Sequence, residues 1–371
     1  MTAGTQRKLD PNVNSKDTKL LLQQFSRKVV GQPASTQVLT DIFEIFRAGF
    51  CDPTKPVGNA LFLGPTGTGK THTCETFAEA LFGTRDACLR IDCAEFQHSH
   101  EIAKLLGSPP GYLGHRETPP MFTQDRLDRY HKDTLKLSIV LFDEIEKASD
   151  AVWNLMLGIL DKASLTLGDN RLVNFSKTII IMTSNLGARE MSKKDIGYGA
   201  PSEEYAASVL ERKALSAAKA KFPPEFMNRL QHIVMFETLT EKQIEAVLEV
   251  EIEALAFRMY ASSVLKVSEG VAPCAFSLAI SPAARKALVK EGFDPAYGAR
   301  HLKRALDKMI QRPLAKLRNS GQVKDGDVVV VDDPGNGNFD FYTHPSPPVI
   351  VPMHTCDERC FNSEGANICK R

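Results

Sequence analysis

The run Gly64-Pro65-Thr66-Gly67-Thr68-Gly69-Lys70-Thr71 constrains this chain more than any other feature of it. It follows a short apolar run, Ala60 to Leu63, and precedes Cys74, Phe77, Ala78, Leu81 and Phe82 at helical spacing. Strand, glycine loop and helix in that order form the setting a phosphate-binding loop requires. Glycines let successive backbone N–H groups close around an anion, Lys70 neutralises it, and Thr71 offers a hydroxyl to a magnesium ion beside it. The helix start adds the positive end of its dipole. A turn that merely joins a strand to a helix has no need of Lys70 and Thr71 at those offsets.

The rest of the chain is read around that loop. Apolar runs at Ala60 to Leu63, Cys88 to Ile91, Ser138 to Phe142, Thr178 to Met182 and Ile233 to Phe236 are separated by helix-period segments. Such alternation predicts an α/β fold, a parallel sheet with helices on both faces. After Phe236 the pattern becomes helical. Thr240 and Gln243 stand at capping-box spacing before Ile244, Val247, Leu248, Ile252 and Leu255, Ser281-Pro282 opens a further helix, Gly298 to Asn319 forms another, and Asp327 to Val331 reads as a strand. The expected division is a mobile lead-in over 1–17, a large domain over 18–237, a small mostly helical domain over 238–332, and a loose Pro- and Cys-containing tail over 333–371.

Composition narrows the function classes. Lys plus Arg (46) nearly cancel Asp plus Glu (45), which disfavours a protein that works by coating nucleic acid. The longest apolar runs fall far short of the roughly 20 residues of a membrane helix, so no membrane partner is expected. Met1 to Asp17 is polar without an apolar stretch, which points to a reducing cytoplasm and to eight Cys held as thiols.

Two further strand ends carry chemistry. Ser138 to Phe142 runs into Asp143-Glu144, placing two carboxylates where ligands of parallel sheets sit. Asp143 is expected to hold magnesium through water and Glu144 to polarise an attacking water. An acidic pair after a strand is otherwise often a solvated helix start; the upstream loop favours the first reading. Thr178 to Met182 leads into Thr183-Ser184-Asn185, with Asn185 within reach of a γ-phosphate or of that water, unless it is only a polar turn.

The ordered set Val29-Val30-Gly31-Gln32, GPTGTGKT, Gly111-Tyr112-Leu113-Gly114, Leu141-Phe142-Asp143-Glu144, Met182-Thr183-Ser184-Asn185, Pro224-Glu225-Phe226-Met227-Asn228-Arg229 and Gly298-Ala299-Arg300 resembles the second ATPase module of the Clp unfoldases, within the AAA+ proteins. The resemblance runs from about Thr18 to Asp332. It implies ATP and Mg2+ as cofactors, Val29 and Val30 lining an adenine pocket, Asn185 and Arg300 as the sensors of the two domains, and Arg229 as an arginine finger reaching a neighbouring subunit. It also implies a homo-oligomeric ring, hexameric in the family, acting on unfolded or misfolded protein threaded through a central pore where Tyr112 grips. An Arg supplied across an interface makes hydrolysis depend on assembly, and the head-to-tail contact it needs closes into rings.

Some segments depart from the family or leave alternatives open. No substrate-recruitment domain, first ATPase module or coiled-coil insertion accompanies the resemblance. Asp195-Ile196-Gly197-Tyr198 has Tyr where protease-docking relatives carry an aliphatic residue or Phe, so docking of a ClpP-type peptidase through Ile196-Gly197-Tyr198 competes with an ordinary loop turn. His354, Cys356, Cys360 and Cys369 lack regular zinc-finger spacing, and the prolines upstream favour unpaired thiols over a zinc site. The rival functions are a nucleic-acid remodeller of clamp-loader or helicase type, against which the charge balance weighs, and a nucleotide-dependent scaffold, against which Glu144 and Arg229 weigh.

Overall fold

The computed structural model describes residues 10, 13–108, 119–187, 203–268, 276–293, 298–335 and 337–344. Packing divides the chain into two compact units, Met1–Val250 with Glu291–Lys303, and Glu251–Lys290 with Arg304–Arg371.

The first unit is built on strands β1 (Gly58–Leu63), β2 (Cys88–Asp92), β3 (Ser138–Asp143), β4 (Ser164–Thr166), β5 (Leu172–Asn174), β6 (Thr178–Ser184) and β7 (His232–Met235). Five of them form one sheet in the order β2-β3-β6-β1-β7, with every neighbour parallel. Side chains of a strand alternate between faces, and the two hydrophobic clusters follow that alternation. Val140, Phe142, Ile180 and Met182 pack on one face against Trp153, Met156, Phe222 and Phe226. Ile139, Leu141, Ile179 and Ile181 pack on the other against Leu21, Phe25, Ile42 and Phe77. Both faces are thus covered, which is why the strands read as continuous apolar runs rather than alternating ones. The short antiparallel ribbon of β4 and β5, three residues a strand, lay below the resolution of the sequence pattern.

Helix boundaries follow local chemistry. The Lys16–Lys28 helix starts on Ser15, whose Oγ accepts from Thr18 N–H at 3.1 Å. The next helix, Pro33–Arg47, opens on Pro33, whose missing N–H is not needed in the first turn. The segment Gly298 to Asn319, predicted as one helix, comprises Arg300–Leu306, a π-helical stretch Asp307–Gln311, and Arg312–Asn319. Pro313 has no N–H to give and its ring crowds the preceding turn, and the wider π turn just before it relieves both.

The second unit adds β8 (Ser277–Ile280), β9 (Val328–Asp332) and β10 (Asp340–His344), in the order β10-β9-β8. Strand β10 corrects the expectation of a wholly loose tail after Asp332. It lies antiparallel to β9, with Phe341 opposite Val331, after a turn in which Gly335 and Gly337 take positive φ. The Pro- and Gly-rich composition there marks a hairpin turn as well as a loose segment. The described cysteines, Cys51, Cys74, Cys88 and Cys93, are free thiols, and burial pushes Cys88 up to about 12. Among the described residues no helix is long and apolar enough to cross a membrane.

Candidate functional site

The loop after β1 is shaped by three glycines with positive φ, at Gly64, Gly67 and Gly69. At Gly64 (φ 153°) a Cβ would come within 2.4 Å of the Phe236 carbonyl oxygen, so a side chain there collides with the strand's neighbour as well as straining the backbone. Gly69 caps the Lys70–Phe82 helix with φ 98°, and a Cβ there would meet nothing within 4 Å. Thr68 is buried, and its Oγ1 donates to Pro65 O at 2.9 Å, closing the loop from inside. Thr66 lies at the outer turn of the same loop.

Lys70 is buried beneath the loop. Its Nζ donates to Gly64 O at 2.7 Å, Pro65 O at 2.8 Å and Asn185 Oδ1 at 2.9 Å. Burial lowers its pKa to about 8, opposed by the charges of Glu146, Asp143 and Glu144 and reinforced by Arg300. Thr71 Oγ1 donates to Asp143 at 3.2 Å (Oδ1) and 3.4 Å (Oδ2). Thr183 Oγ1 also donates to Asp143 Oδ1, and Arg90 Nη2 donates to Oδ2 at 2.6 Å. Asp143 is therefore approached from the first helical turn after the loop and from both flanking strands.

Glu144 adopts φ 56° and ψ 48°, an uncommon left-handed conformation for a residue with a side chain. Its N–H donates to Thr183 Oγ1 at 3.1 Å, while its carboxylate pairs with Lys147 and accepts from Asn185 Nδ2 at 3.1 Å. The Asn185 N–H donates to Glu146 Oε1 at 3.0 Å, and Glu146 Oε2 is buried with no hydrogen-bond partner. Lys70, Thr71, Asp143, Glu144 and Asn185 thus join in one hydrogen-bonded network across the C-terminal ends of β1, β3 and β6.

Around that centre, Val29 is buried and Val30 half-buried, and the following Gln32 donates from Nε2 to Thr68 O at 3.3 Å and Glu237 O at 2.9 Å. Ala299 N–H donates to Gly67 O at 3.1 Å, which brings the Gly298-Ala299-Arg300 segment to the loop. Arg229 stands apart from this network: its guanidinium pairs with Asp161. Gly111, Tyr112, Leu113 and Gly114, the Ile196-Gly197-Tyr198 segment, and His354, Cys356, Cys360 and Cys369 lie outside the described residues.

Four participants escape the motifs read from sequence: Arg90, Glu146, Lys147 and Asp161. Arg90 had a signal, a charged residue inside the apolar run Cys88 to Ile91, in register with Leu141. Glu146, Lys147 and Asp161 had none beyond their neighbours. A hydroxyl and a carboxylate are hard oxygen donors of the kind Mg2+ takes, so Thr71 and Asp143 fit the ion, and the loop N–H groups with Lys70 fit phosphate.

The sequence profile of the AAA domain (Cdc48 subfamily) matches residues 55–233, and that of the C-terminal, D2-small domain of ClpB matches residues 239–331. The chaperone protein ClpB of Streptomyces albus G is 39% identical over 319 residues, 85% of this chain and 34% of that protein. The ATP-binding subunit ClpC of the Clp protease from Staphylococcus epidermidis is 34% identical over 334 residues, 89% of this chain and 39% of that protein. The chain therefore spans little more than a third of the length of these curated relatives. A closed-state cryo-EM structure of Hsp104 with ATPγS and FITC-casein superposes with a TM-score of 0.72 at 28% identity, covering 90% of this chain and 53% of that one. With the glycine loop, the acidic strand end and both domain profiles in chain order, the chain belongs to the AAA+ ATPases, in the group that holds ClpB and ClpC.

Proposed function

We propose that this chain is an ATP-hydrolysing motor that remodels or unfolds proteins, working as a ring of identical subunits, hexameric as in the family, in a reducing cytoplasm. The observation that carries the reading is the network joining Lys70 under the glycine loop to Asn185 and Glu144, with Thr71 on Asp143 beside it. In this reading residues 18–237 form the ATPase body and 238–332 the small, mostly helical domain.

Each role follows from the chemistry of its side chain. The loop amides from Gly64 to Thr71 hold the phosphates, with Lys70 as their cation and Val29 and Val30 beside the adenine. Thr71 and Asp143 hold Mg2+, which when bound neutralises charge developing on the phosphates. Glu144 takes a proton from the attacking water, Asn185 orients that water against the γ-phosphate, and Arg300 senses the phosphate from the second domain's side of the sequence. Arg229 serves the site of a neighbouring subunit, where a guanidinium spreads the transition-state charge.

Tyr112, between Gly111 and Leu113-Gly114, grips the client polypeptide. Pulling a domain apart opposes roughly 5 to 15 kcal/mol of stability, a task suited to repeated strokes. Ile196-Gly197-Tyr198 is the segment through which a ClpP-type peptidase would dock.

The test is a Glu144→Gln variant, in which the cradle survives and the base is lost. It should bind ATP with parental affinity, release phosphate at least about 100-fold more slowly, and retain FITC-casein in an ATP-dependent complex on size-exclusion chromatography. Parental phosphate release, or no ATP-dependent retention of casein, overturns the reading.

A further inference from the structure

Arg229 is held from three directions, and none of them is the phosphate loop of its own chain. Its backbone carbonyl accepts from Nδ2 of Asn59, a buried residue of β1, at 3.1 Å. Asn59 and Gln231, two residues beyond Arg229, exchange a reciprocal pair of bonds at 3.0 and 2.9 Å. The short helix Pro224–Met227 just before it is pinned by Phe226, fully buried against Phe222, which in turn meets Trp153 edge-on. Trp153 belongs to the helix Asp150–Lys162, and that helix also carries Asp161 near its C-terminal end.

The third hold is on the side chain. Asp161 Oδ1 engages Nε of Arg229, the inner nitrogen of the guanidinium. A guanidinium has five donors in a fixed planar fork, and occupying Nε leaves the two terminal nitrogens for another acceptor. Both side chains are partly exposed, at 46% and 38%, so the pair stands at the surface of its own chain. A surface ion pair contributes little to folding, typically about 0 to 1 kcal/mol. Its consequence here is directional: a long side chain that would otherwise sample many rotamers is aimed.

We propose that Asp161 is a positioning residue for Arg229, orienting the guanidinium so that its terminal nitrogens reach the nucleotide of the adjoining subunit. The inference rests on the reading of Arg229 as a residue supplied across the subunit interface. Asp161 then acts in trans through Arg229 and leaves its own chain's nucleotide site untouched.

The test uses the full chain and ATP. Asp161→Ala should lower kcat for ATP hydrolysis about tenfold or more, with KM and the affinity for a fluorescent ADP within about twofold of the parent. Asp161→Asn, which still accepts from Nε without the charge, should lose less. In an Arg229→Ala background the Asp161→Ala change should cost nothing further, because there is no guanidinium left to aim. Mixing decides the direction. Asp161→Ala subunits mixed with Lys70→Ala subunits, which keep an aimed Arg229, should regain turnover, whereas Asp161→Ala mixed with Arg229→Ala should not.

Unchanged or raised kcat in Asp161→Ala, a loss additive with Arg229→Ala, or no recovery in rings shown to have mixed with Lys70→Ala each overturns the positioning role while Arg229 keeps its own. If Arg229→Ala itself hydrolyses ATP at the parental kcat, the reading of Arg229 fails first and takes the role of Asp161 with it.

Discussion

The Lys70 ammonium donates to the side-chain oxygen of Asn185 at 2.9 Å, so the lysine under the glycine loop and the residue at the end of β6 are joined within one chain. The same amide gives its NH2 to Glu144, which places Asn185 between the Lys70 ammonium and the Glu144 carboxylate. An amide is one of the few side chains that serves both neighbours at once, accepting from an ammonium and donating to a carboxylate.

Asn185→Ala removes both bonds. Lys70 keeps two carbonyl acceptors, so nucleotide affinity should stay within a few-fold, while kcat should fall by about 100-fold, as when one oriented donor is lost from an active site. Single-turnover hydrolysis beside ADP titration separates the two. Loss of affinity with kcat preserved would place Asn185 in binding alone.

Lys70 sets a pH dependence for binding. Burial holds it near 8 before nucleotide arrives, and bound phosphate favours the ammonium and raises that value. Nucleotide affinity should therefore weaken as pH rises through about 8, with proton uptake on binding above that pH. Calorimetry in buffers of different ionisation enthalpy measures the uptake. Lys70→Arg, charged throughout, should abolish it whatever affinity remains.

Gly298→Ala tests the contact between the Gly298-Ala299-Arg300 segment and the glycine loop. Gly298 has φ 54°, and a Cβ there would stand 2.6 Å from Gly67 O, a backbone atom that cannot swing aside. The substitution should weaken ATP binding about tenfold or more by displacing the loop, with a strain of about 1–3 kcal/mol. Parental affinity on titration, with the fold intact, would show that the segment yields instead.

Phe226→Ala probes how Arg229 is presented. Deleting a fully buried ring should cost about 3–5 kcal/mol of stability. At temperatures where the variant remains folded, kcat should fall more than nucleotide affinity, because the short helix before Arg229 loses its anchor. Urea unfolding monitored at Trp153, which packs against Phe222, gives the stability change.

Much of this was legible in advance where chemistry and periodicity are local. The glycine loop with its flanking strand and helix is one unbroken stretch from Gly58 to Phe82, the acidic pair directly follows the apolar run of β3, and the continuous apolar runs already implied a sheet covered twice. What the sequence could not display were side-chain pairs made by folding. Arg90 meets Asp143 because β2 lies beside β3, and Asp161 meets Arg229 because Phe226 docks the Pro224–Met227 helix onto the Asp150–Lys162 helix. The strand β10 was hidden by composition: five residues, Asp340–His344, with no apolar–polar alternation, behind a Pro- and Gly-rich turn, carry less signal than the tail around them.

Strand β1 has a further consequence for the birth of the protein. Its two neighbours are β6, whose Ser184 faces Leu63, and β7, whose Met235 faces the same residue. A ribosome that has just released the glycine loop must add roughly 120 more residues before β1 gains its first partner, several seconds or more at about 5–20 residues per second. Until then the loop hangs from an unpaired apolar strand. A nascent chain stalled before Thr178 should be unable to grip nucleotide and should present that strand to cellular holdases, so ATP enters the life of the molecule only after most of the sheet has been made.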